Sequence, residues 1–82
     1  MIETLENLSK ECGRLLALVP KTEENSILRF CLYQLESAAY IHADLLKCLD
    51  DPLLFKYVEG NLEWQEMVLE KLVELRTKTH YT

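Results

Sequence analysis

The chain has 82 residues, of which 49 % are hydrophobic and 28 % charged, with only two glycines and two prolines, a composition typical of one small, mostly helical domain. Its formal net charge of -5 disfavours direct binding to nucleic acid, where Lys and Arg supply most of the affinity, and to anionic membranes. The first residues contain neither a basic leader nor a long apolar segment, so we expect a soluble cytoplasmic protein.

The first predicted element is a helix from residue 2 to about residue 19. Its apolar residues recur at steps of three and four, which is the period of one helical face. They are Leu5, Leu8, Cys12, Leu15 and Val19. Pro20 is expected to end this helix, because proline lacks an amide N–H and disfavours the helical conformation of the residue before it.

The second predicted element is a helix from about residue 23 to residue 49. Thr22 is expected to cap its N-terminus, and Glu23 and Glu24 place negative charge where the helix dipole favours it. The apolar residues fill one very wide face, namely Ile27, Leu28, Cys31, Leu35, Ala38, Ile41, Leu45, Leu46 and Leu49. The remaining narrow strip is predicted to face water and carries Arg29, Tyr33, Glu36, Tyr40, Asp44 and Lys47. We expect such a helix to pack against neighbours on two sides.

The third predicted element is a helix from Pro52 to about residue 78. Asp51 can accept free amide N–H groups, and Pro52 stands at the first helical position, where its missing N–H costs nothing. The apolar positions stay in phase along the whole segment, namely Leu54, Val58, Leu62, Val68, Leu69, Leu72 and Leu75. A break at Gly60 and Asn61 is the alternative. Trp64, at the edge of this stripe, is assigned to the core, and His80 is expected to be exposed.

These elements predict an all-α, up-down-up three-helix bundle, in which a short helix 1 packs on a long hairpin of helices 2 and 3. Helix 1 spans roughly 25 Å and the other two roughly 40 Å each. Running back from Pro20, helix 1 is expected to reach only about Ala39 and to leave the corner between helices 2 and 3 uncovered. The alternative is that helix 1 bends, or that helix 3 folds back at residues 60–61 and covers this corner.

The uncovered corner is the first candidate interface. Its apolar residues are Leu45, Leu46, Leu49, Leu53, Leu54, Phe55 and Val58. Burying one such side chain stabilises by roughly 1.5–3 kcal/mol, and exposed apolar patches of this size mark association sites. We therefore predict a homodimer in which two hairpin corners complete a larger bundle. Tyr33 and Tyr40 share the polar strip of helix 2 and are either a second contact surface or the surface against which helix 1 lies.

His42 lies on the apolar face of helix 2, and an antiparallel count from the corner places it near Asn61. A hydrogen bond between these two side chains would satisfy both groups and fix the register of the hairpin, so we predict a structural polar layer. The alternative is a small-ligand or metal site that uses His42 and a cysteine across a dimer interface.

An acidic ridge is predicted along helix 3, opposite its apolar stripe. It consists of Glu59, Glu63, Glu66, Glu70 and Glu74. Carboxylate metal sites in bundles need inward-facing glutamates and an E-x-x-H partner, which are lacking here. The ridge is predicted to be solvated, and its functional alternatives are contact with a basic surface or mimicry that occupies a nucleic-acid-binding protein.

The chemistry-bearing residues argue against an enzyme. Cys12, Cys31 and Cys48 are widely spaced, which favours reduced core residues over disulfides or a zinc site. No phosphate-binding loop and no nucleophile–base set is present in the sequence. We expect a protein–protein interaction module, such as an adaptor, co-chaperone or regulator. It is expected to bind itself and an unidentified protein, without a cofactor.

Overall fold

A computed structural model describes the backbone of residues 1–81 and the side chains of residues 1–75. Over this part of the chain the secondary structure is helical throughout and contains no strand. The elements are α1 (Ile2–Leu18), a 3₁₀ turn (Glu23–Asn25), α2 (Ser26–Cys48) and α3 (Pro52–Tyr81). The molecule measures 46 × 18 × 17 Å, and both α1 and α3 pack on α2. The predicted all-helical bundle of three helices is thereby confirmed, and within the described range no helix is both long and apolar enough to cross a membrane.

The end of α1 is held by a side chain from α2. The last carbonyl groups of a helix have no partner within the helix, and α1 has no basic residue in its own last turn. Nη1 of Arg29 donates to the carbonyl oxygens of Leu16 at 2.7 Å and Val19 at 2.6 Å. Because the guanidinium is charged, these bonds are stronger than those between neutral groups. They fix the end of α1 against the first turn of α2.

Small residues allow α1 and α2 to lie close together. Ala39 and Ala43 are buried at the contact, and a Cβ atom added to Gly13 would lie 2.6 Å from Oε2 of Glu36. Ser9 donates from its hydroxyl to the backbone oxygen of Glu36 at 3.2 Å. The α1–α2 contact therefore combines small apolar residues with polar side chains.

This contact corrects the prediction that the polar strip of α2 faces water for two of its residues, Arg29 and Glu36, while Tyr33, Tyr40, Asp44 and Lys47 are exposed as predicted. Arg29 and Glu36 lie against α1, and Nζ of Lys47 donates to a carboxylate oxygen of Glu6 at 3.1 Å. In turn, part of the wide apolar face of α2 stays exposed, with Ile27 and Ile41 as examples. As predicted, α2 packs against a helix on two sides. One of these helices, α1, lies against the polar strip of α2 rather than against its apolar face.

The prediction that helix 1 stops near Ala39 is also wrong, although apolar side chains at the corner stay exposed, Leu49 at 53 % and Leu53 at 78 %. The contact of Lys47 with Glu6 places the start of α1 beside the end of α2, and Met1 and Ile2 line a small cavity at the corner together with Leu46 and Leu49. The reason is the connection between the helices. Residues 19–25 are used for the turn, so α1 pairs with residues 29–47 of α2 rather than with residues 23–39.

The start of α3 follows from its local sequence. Oδ1 of Asp51 accepts a hydrogen bond from the backbone N–H of Leu53 at 2.9 Å, next to Pro52 at the first helical position. The helix then runs without a break through Gly60, which is exposed and has an ordinary negative φ. Neither the alternative break at residues 60–61 nor a fold-back at that point occurs. The side chain of His80 lies outside the described side chains.

The core lies between the three helices. Its buried apolar residues are Leu5, Leu8, Cys12, Leu15, Val19, Leu32, Leu35, Ala39, Ala43, Val58, Leu62 and Leu72. Val58 belongs to the predicted corner interface, but it is 0 % exposed and is part of this core instead. Leu46 and Leu54, from the same predicted set, are half-buried and pack against the core. The one buried polar side chain among the described residues is Gln65.

Candidate interaction surfaces

One side of α2 exposes large apolar side chains. Ile27, Phe30, Ile41 and Leu45 follow one another at helical spacing, and Ile27 is 76 % exposed. The other positions on this side are occupied by uncharged residues, namely Gln34, Ala38 and Cys48. This row therefore has no charged member over six turns of helix.

A second exposed row runs along α3. Its large apolar members are Leu53, Tyr57, Trp64 and Met67, which share one side of the helix by their spacing. Trp64, predicted from the sequence to be core, is 56 % exposed, which corrects that assignment. Val58 and Leu62 lie on the core face of α3. Around the helix axis they are between a quarter and a half turn away from Trp64, so the indole ring lies outside the core.

A ring contact links the second row to α2 through His42, the neighbour of Ile41 in the chain. The centroids of His42 and Tyr57 are 6.0 Å apart, with the rings nearly perpendicular at 86°. We call the combined surface the outer face, formed by Ile27, Phe30, Ile41, Leu45, Leu53, Tyr57, Trp64 and Met67. Helix α1 lies on the other side of α2, against Arg29, Glu36 and Lys47, and does not cover it.

The same contact shows that the predicted bond between His42 and Asn61 is not formed. Nδ1 of His42 is buried without a hydrogen-bond partner, and the ring lies against Tyr57, about one turn nearer the corner than Asn61. Because α2 ends at Cys48, the hairpin is centred close to residues 49–50 rather than at 51. The register of the hairpin is thus shifted by one turn from the one predicted.

The remaining predicted interface residues lie at two smaller sites. Leu49 and Phe55 are about half-exposed at the corner, beside the start of α1. Tyr33 and Tyr40 are mostly exposed and line a shallow pocket with Ser9 at the seam between α1 and α2. The structure therefore separates the corner from the tyrosine pair, while Leu45 and Leu53 of the predicted corner set belong to the outer face.

A groove runs between α1 and α3 on a different side of the molecule. We call it the α1–α3 groove; its volume is about 780 Å³, and it is lined by Thr4, Asn7, Leu8, Glu66, Leu69, Glu70, Val73 and Glu74. Its floor is apolar, whereas the rim on α3 carries three carboxylates. These are three members of the predicted acidic ridge, and the groove brings them beside Leu69 and Val73.

The three cysteines occupy different environments and are all free thiols. Cys12 is buried, as predicted, whereas Cys31 is half-buried and Cys48 is exposed, which corrects its assignment to the core. Burial raises the pKa of the Cys12 thiol from an ordinary value of 9.0 to about 11, and the nearby carboxylates of Glu36 and Glu11 add to this effect. Cys12 therefore stays protonated and unreactive at neutral pH.

The Cys12 thiol predicts a pH dependence of stability. The free energy of unfolding is expected to fall as the pH rises from 9.0 to about 11. The unfolded thiol loses its proton in this range while the folded one keeps it, so the unfolded state binds fewer protons. Urea unfolding across this range, followed by circular dichroism, measures the slope.

A Cys12→Ala variant is expected to have a lower stability at every pH, because it leaves a small cavity, but a shallower slope above pH 9.0. Cys48→Ala is the matched control, since Cys48 is exposed, and should keep the slope of the wild type. An equal slope in the Cys12→Ala variant and the wild type would contradict the assignment.

Among the described residues, no group of three or more His, Cys, Asp or Glu side chains is arranged to hold a metal ion. The outer face and the α1–α3 groove combine exposed apolar side chains with a defined shape. No protein-family model, no curated protein and no solved structure shows significant similarity to this chain.

Proposed function

We propose that this chain is a small protein–protein interaction module that forms a homodimer through its outer face. The observation that supports the proposal is the double row of exposed apolar side chains on α2 and α3, which no part of the described chain covers. The proposal keeps the class of function predicted from the sequence, an adaptor or regulator that acts by binding. It moves the dimer contact from the corner to the side of the hairpin.

The size of the outer face supports an interface. Its eight side chains are large and most are more than half exposed, which gives roughly 1,000 Å² of accessible surface. The largest apolar patch on a typical monomer is about 300–600 Å², and a stable interface buries about 800 Å² on each partner. The exposed surface summed over these eight residues is therefore enough for an interface of standard size.

The charge distribution favours a second copy at this face. Each chain carries a net charge of -5, so two copies repel each other unless they meet where charged side chains are few. The α2 row of the outer face has none. A two-fold axis through the outer face would pack two α2–α3 pairs into one layer of four helices and leave α1 of each copy on the outside.

The corner and the tyrosine pair remain proposals as contacts with a different protein. Leu49 and Phe55 present a smaller apolar surface than the outer face, and Tyr33 and Tyr40 present amphipathic rings around a shallow pocket. The corner lies beside the start of α1 and stays accessible in the proposed dimer. The tyrosine pocket borders the outer face at Ile41, which lines both. An unidentified protein partner could therefore bind the corner of the dimer without competing with self-association.

Exchange of one outer-face residue tests the dimer. We expect the wild-type protein at tens of micromolar to sediment with a mass of twice 9.6 kDa. The Ile41→Glu exchange is expected to weaken association at least tenfold, because it places a carboxylate in the centre of the apolar contact. Glutamate is a good helix former, so the helix content measured by circular dichroism should be retained.

Leu49→Glu is the matched control. Ile41 and Leu49 are each 53 % exposed, and both exchanges introduce the same charge. We expect Leu49→Glu to change the dissociation constant less than threefold. A wild-type monomer at these concentrations would refute the dimer, and dissociation by Leu49→Glu alone would locate the contact at the corner instead.

A further inference from the structure

The α1–α3 groove has the chemistry of a docking site for a partner of opposite charge. We propose that it binds an amphipathic helix of another protein, with apolar side chains in the groove and lysine or arginine side chains along the acidic rim. This site is separate from the outer face, and it supplies the kind of partner that the proposed dimer would recruit.

The groove offers an apolar floor of suitable size. Leu8 of α1 and Leu69 and Val73 of α3 supply its apolar surface, and the volume of about 780 Å³ lies within the range of protein binding sites. The helices α1 and α3 both pack on α2 but touch each other little. A fourth helix laid between them would complete the bundle, in the way that amphipathic helices dock into grooves between helices.

The rim specifies the charge and the spacing of the occupant. Glu66, Glu70 and Glu74 follow one another at steps of four residues, so their carboxylates stand about 6 Å apart along the axis of α3. Basic side chains at the same step on a partner helix would face this row with matching intervals. Nζ of Lys71 lies 3.7 Å from Oε2 of Glu74 in an exposed ion pair. Glu66 and Glu70 are therefore the two carboxylates of the rim that take part in none of the described ion pairs.

The same charges argue against a second copy of this chain in the groove. The chain has 14 acidic and nine basic residues, so another copy would bring further negative charge to an acidic rim. The negative potential of the rim raises the affinity and the association rate of a basic helix. It repels an acidic helix, so the groove discriminates between the two.

Peptide binding tests the proposal directly. The probe is a fluorescently labelled 18-residue peptide of leucine and lysine with the leucines on one helical face, titrated with the full-length protein and followed by anisotropy. We expect saturable binding with a Kd of roughly 10 µM that weakens with added salt. A peptide with glutamate in place of lysine, and one with glutamine in place of leucine, should each bind at least tenfold more weakly.

Two charge-reversed variants separate the groove from general electrostatic attraction. Glu66→Lys with Glu70→Lys alters the rim, whereas Glu59→Lys with Glu63→Lys makes the same change of net charge one to three turns nearer the start of α3, at members of the acidic ridge that do not line the groove. The first pair is expected to raise the Kd at least tenfold and the second less than threefold. Thermal unfolding of both proteins checks that α3 is intact.

Each of the other outcomes overturns the proposal. These are no saturable binding of the leucine–lysine peptide, equal losses in the two double variants, and equal binding of the peptide without leucine. The Ile41→Glu variant of the outer face should bind the peptide like the wild type, because the groove lies on another side of α3. Failure of the dimer and failure of the groove are therefore distinguishable.

Discussion

Replacing Arg29 by methionine is expected to lower the free energy of unfolding by about 2–3 kcal/mol, because it removes two charge-assisted hydrogen bonds at the end of α1. The guanidinium binds the carbonyl oxygens of Leu16 and Val19 at 2.7 and 2.6 Å. The chain supplies no other described side-chain partner to these two groups, since Pro20 follows them and α1 has no basic residue in its last turn. Methionine keeps much of the apolar stem, so the loss reports on the bonds rather than on packing.

Urea unfolding followed by circular dichroism measures this loss, and Arg14→Met is the matched control. Arg14 forms an exposed ion pair with Glu11 at 2.6 Å within the same helix, and such pairs contribute less than about 1 kcal/mol. The two exchanges change the net charge equally, so a difference between them isolates the bonds of Arg29. Equal effects of the two exchanges would show that the end of α1 is held by something other than Arg29.

Local signals in the sequence were sufficient to predict where α1 ends and where α3 starts, but not where α2 starts, since Asn25 rather than Thr22 stands at its N-cap and neither side chain caps the helix. Pro20 marks the end of the first helix, and Asp51 with Pro52 marks the start of the third, each through a property of the residue concerned. The period of large apolar residues gave the core positions of α1, including Leu5 and Leu15. These features depend on a few neighbouring residues, so they can be interpreted without knowing the tertiary packing.

The side of α2 that receives α1 could not be found in this way. The period of large apolar residues predicts that Ile27 and Ile41 face the core, and it does not include Ala39 and Ala43. In the structure the two isoleucines are exposed and the two alanines are buried. Close approach of two helices needs small residues, and Gly13 of α1 meets Glu36 of α2 at this contact. The alanines beside the polar strip were the sequence signal for the side of α2 that contacts α1. This signal is weaker than the period of the large apolar side chains.

The predicted reach of helix 1 was wrong for a related reason. The length comparison assumed that α1 begins to pair at the first residue of α2, whereas the connection of residues 19–25 shifts the pairing by several residues. Hydrogen bonds from Arg29 and Lys47 fix that offset, and both lie between residues distant in sequence. We still propose that exposed apolar surface binds another chain, but on the side of the hairpin rather than at its corner. Leu45 and Leu53 belong to both the predicted corner set and the outer face.

The two proposed sites divide α3 between them. One side of the helix, with Tyr57 and Trp64, continues the uncharged row of α2, whereas the opposite side, with Leu69 and Glu70, faces the groove toward α1. A helix that buries one stripe in its own core and exposes apolar residues on two further sides has more interaction surface than a monomer of this size needs. This excess is the physical reason for proposing a binding function rather than an isolated structural role.

The largest stabilisation is expected at the centre of the bundle, where Gln65→Met should raise the free energy of unfolding by about 1–2 kcal/mol. Gln65 is 2 % exposed, and its side-chain oxygen has no hydrogen-bond partner. Methionine has a similar length and helix propensity and can fill the same space without a polar group. Urea unfolding at a protein concentration where the midpoint no longer depends on concentration measures the change without a contribution from self-association.

Gln34→Met provides the control, because Gln34 is exposed on α2 and the exchange is chemically identical. Its effect on the free energy of unfolding should stay within about 0.5 kcal/mol. A loss of stability in the Gln65→Met variant would mean that the amide makes a bond in solution that offsets its burial. A gain of stability with unchanged binding of the leucine–lysine peptide would show that the buried amide costs stability without serving the groove, since Gln65 lies beside Glu66 in the chain but does not line the groove.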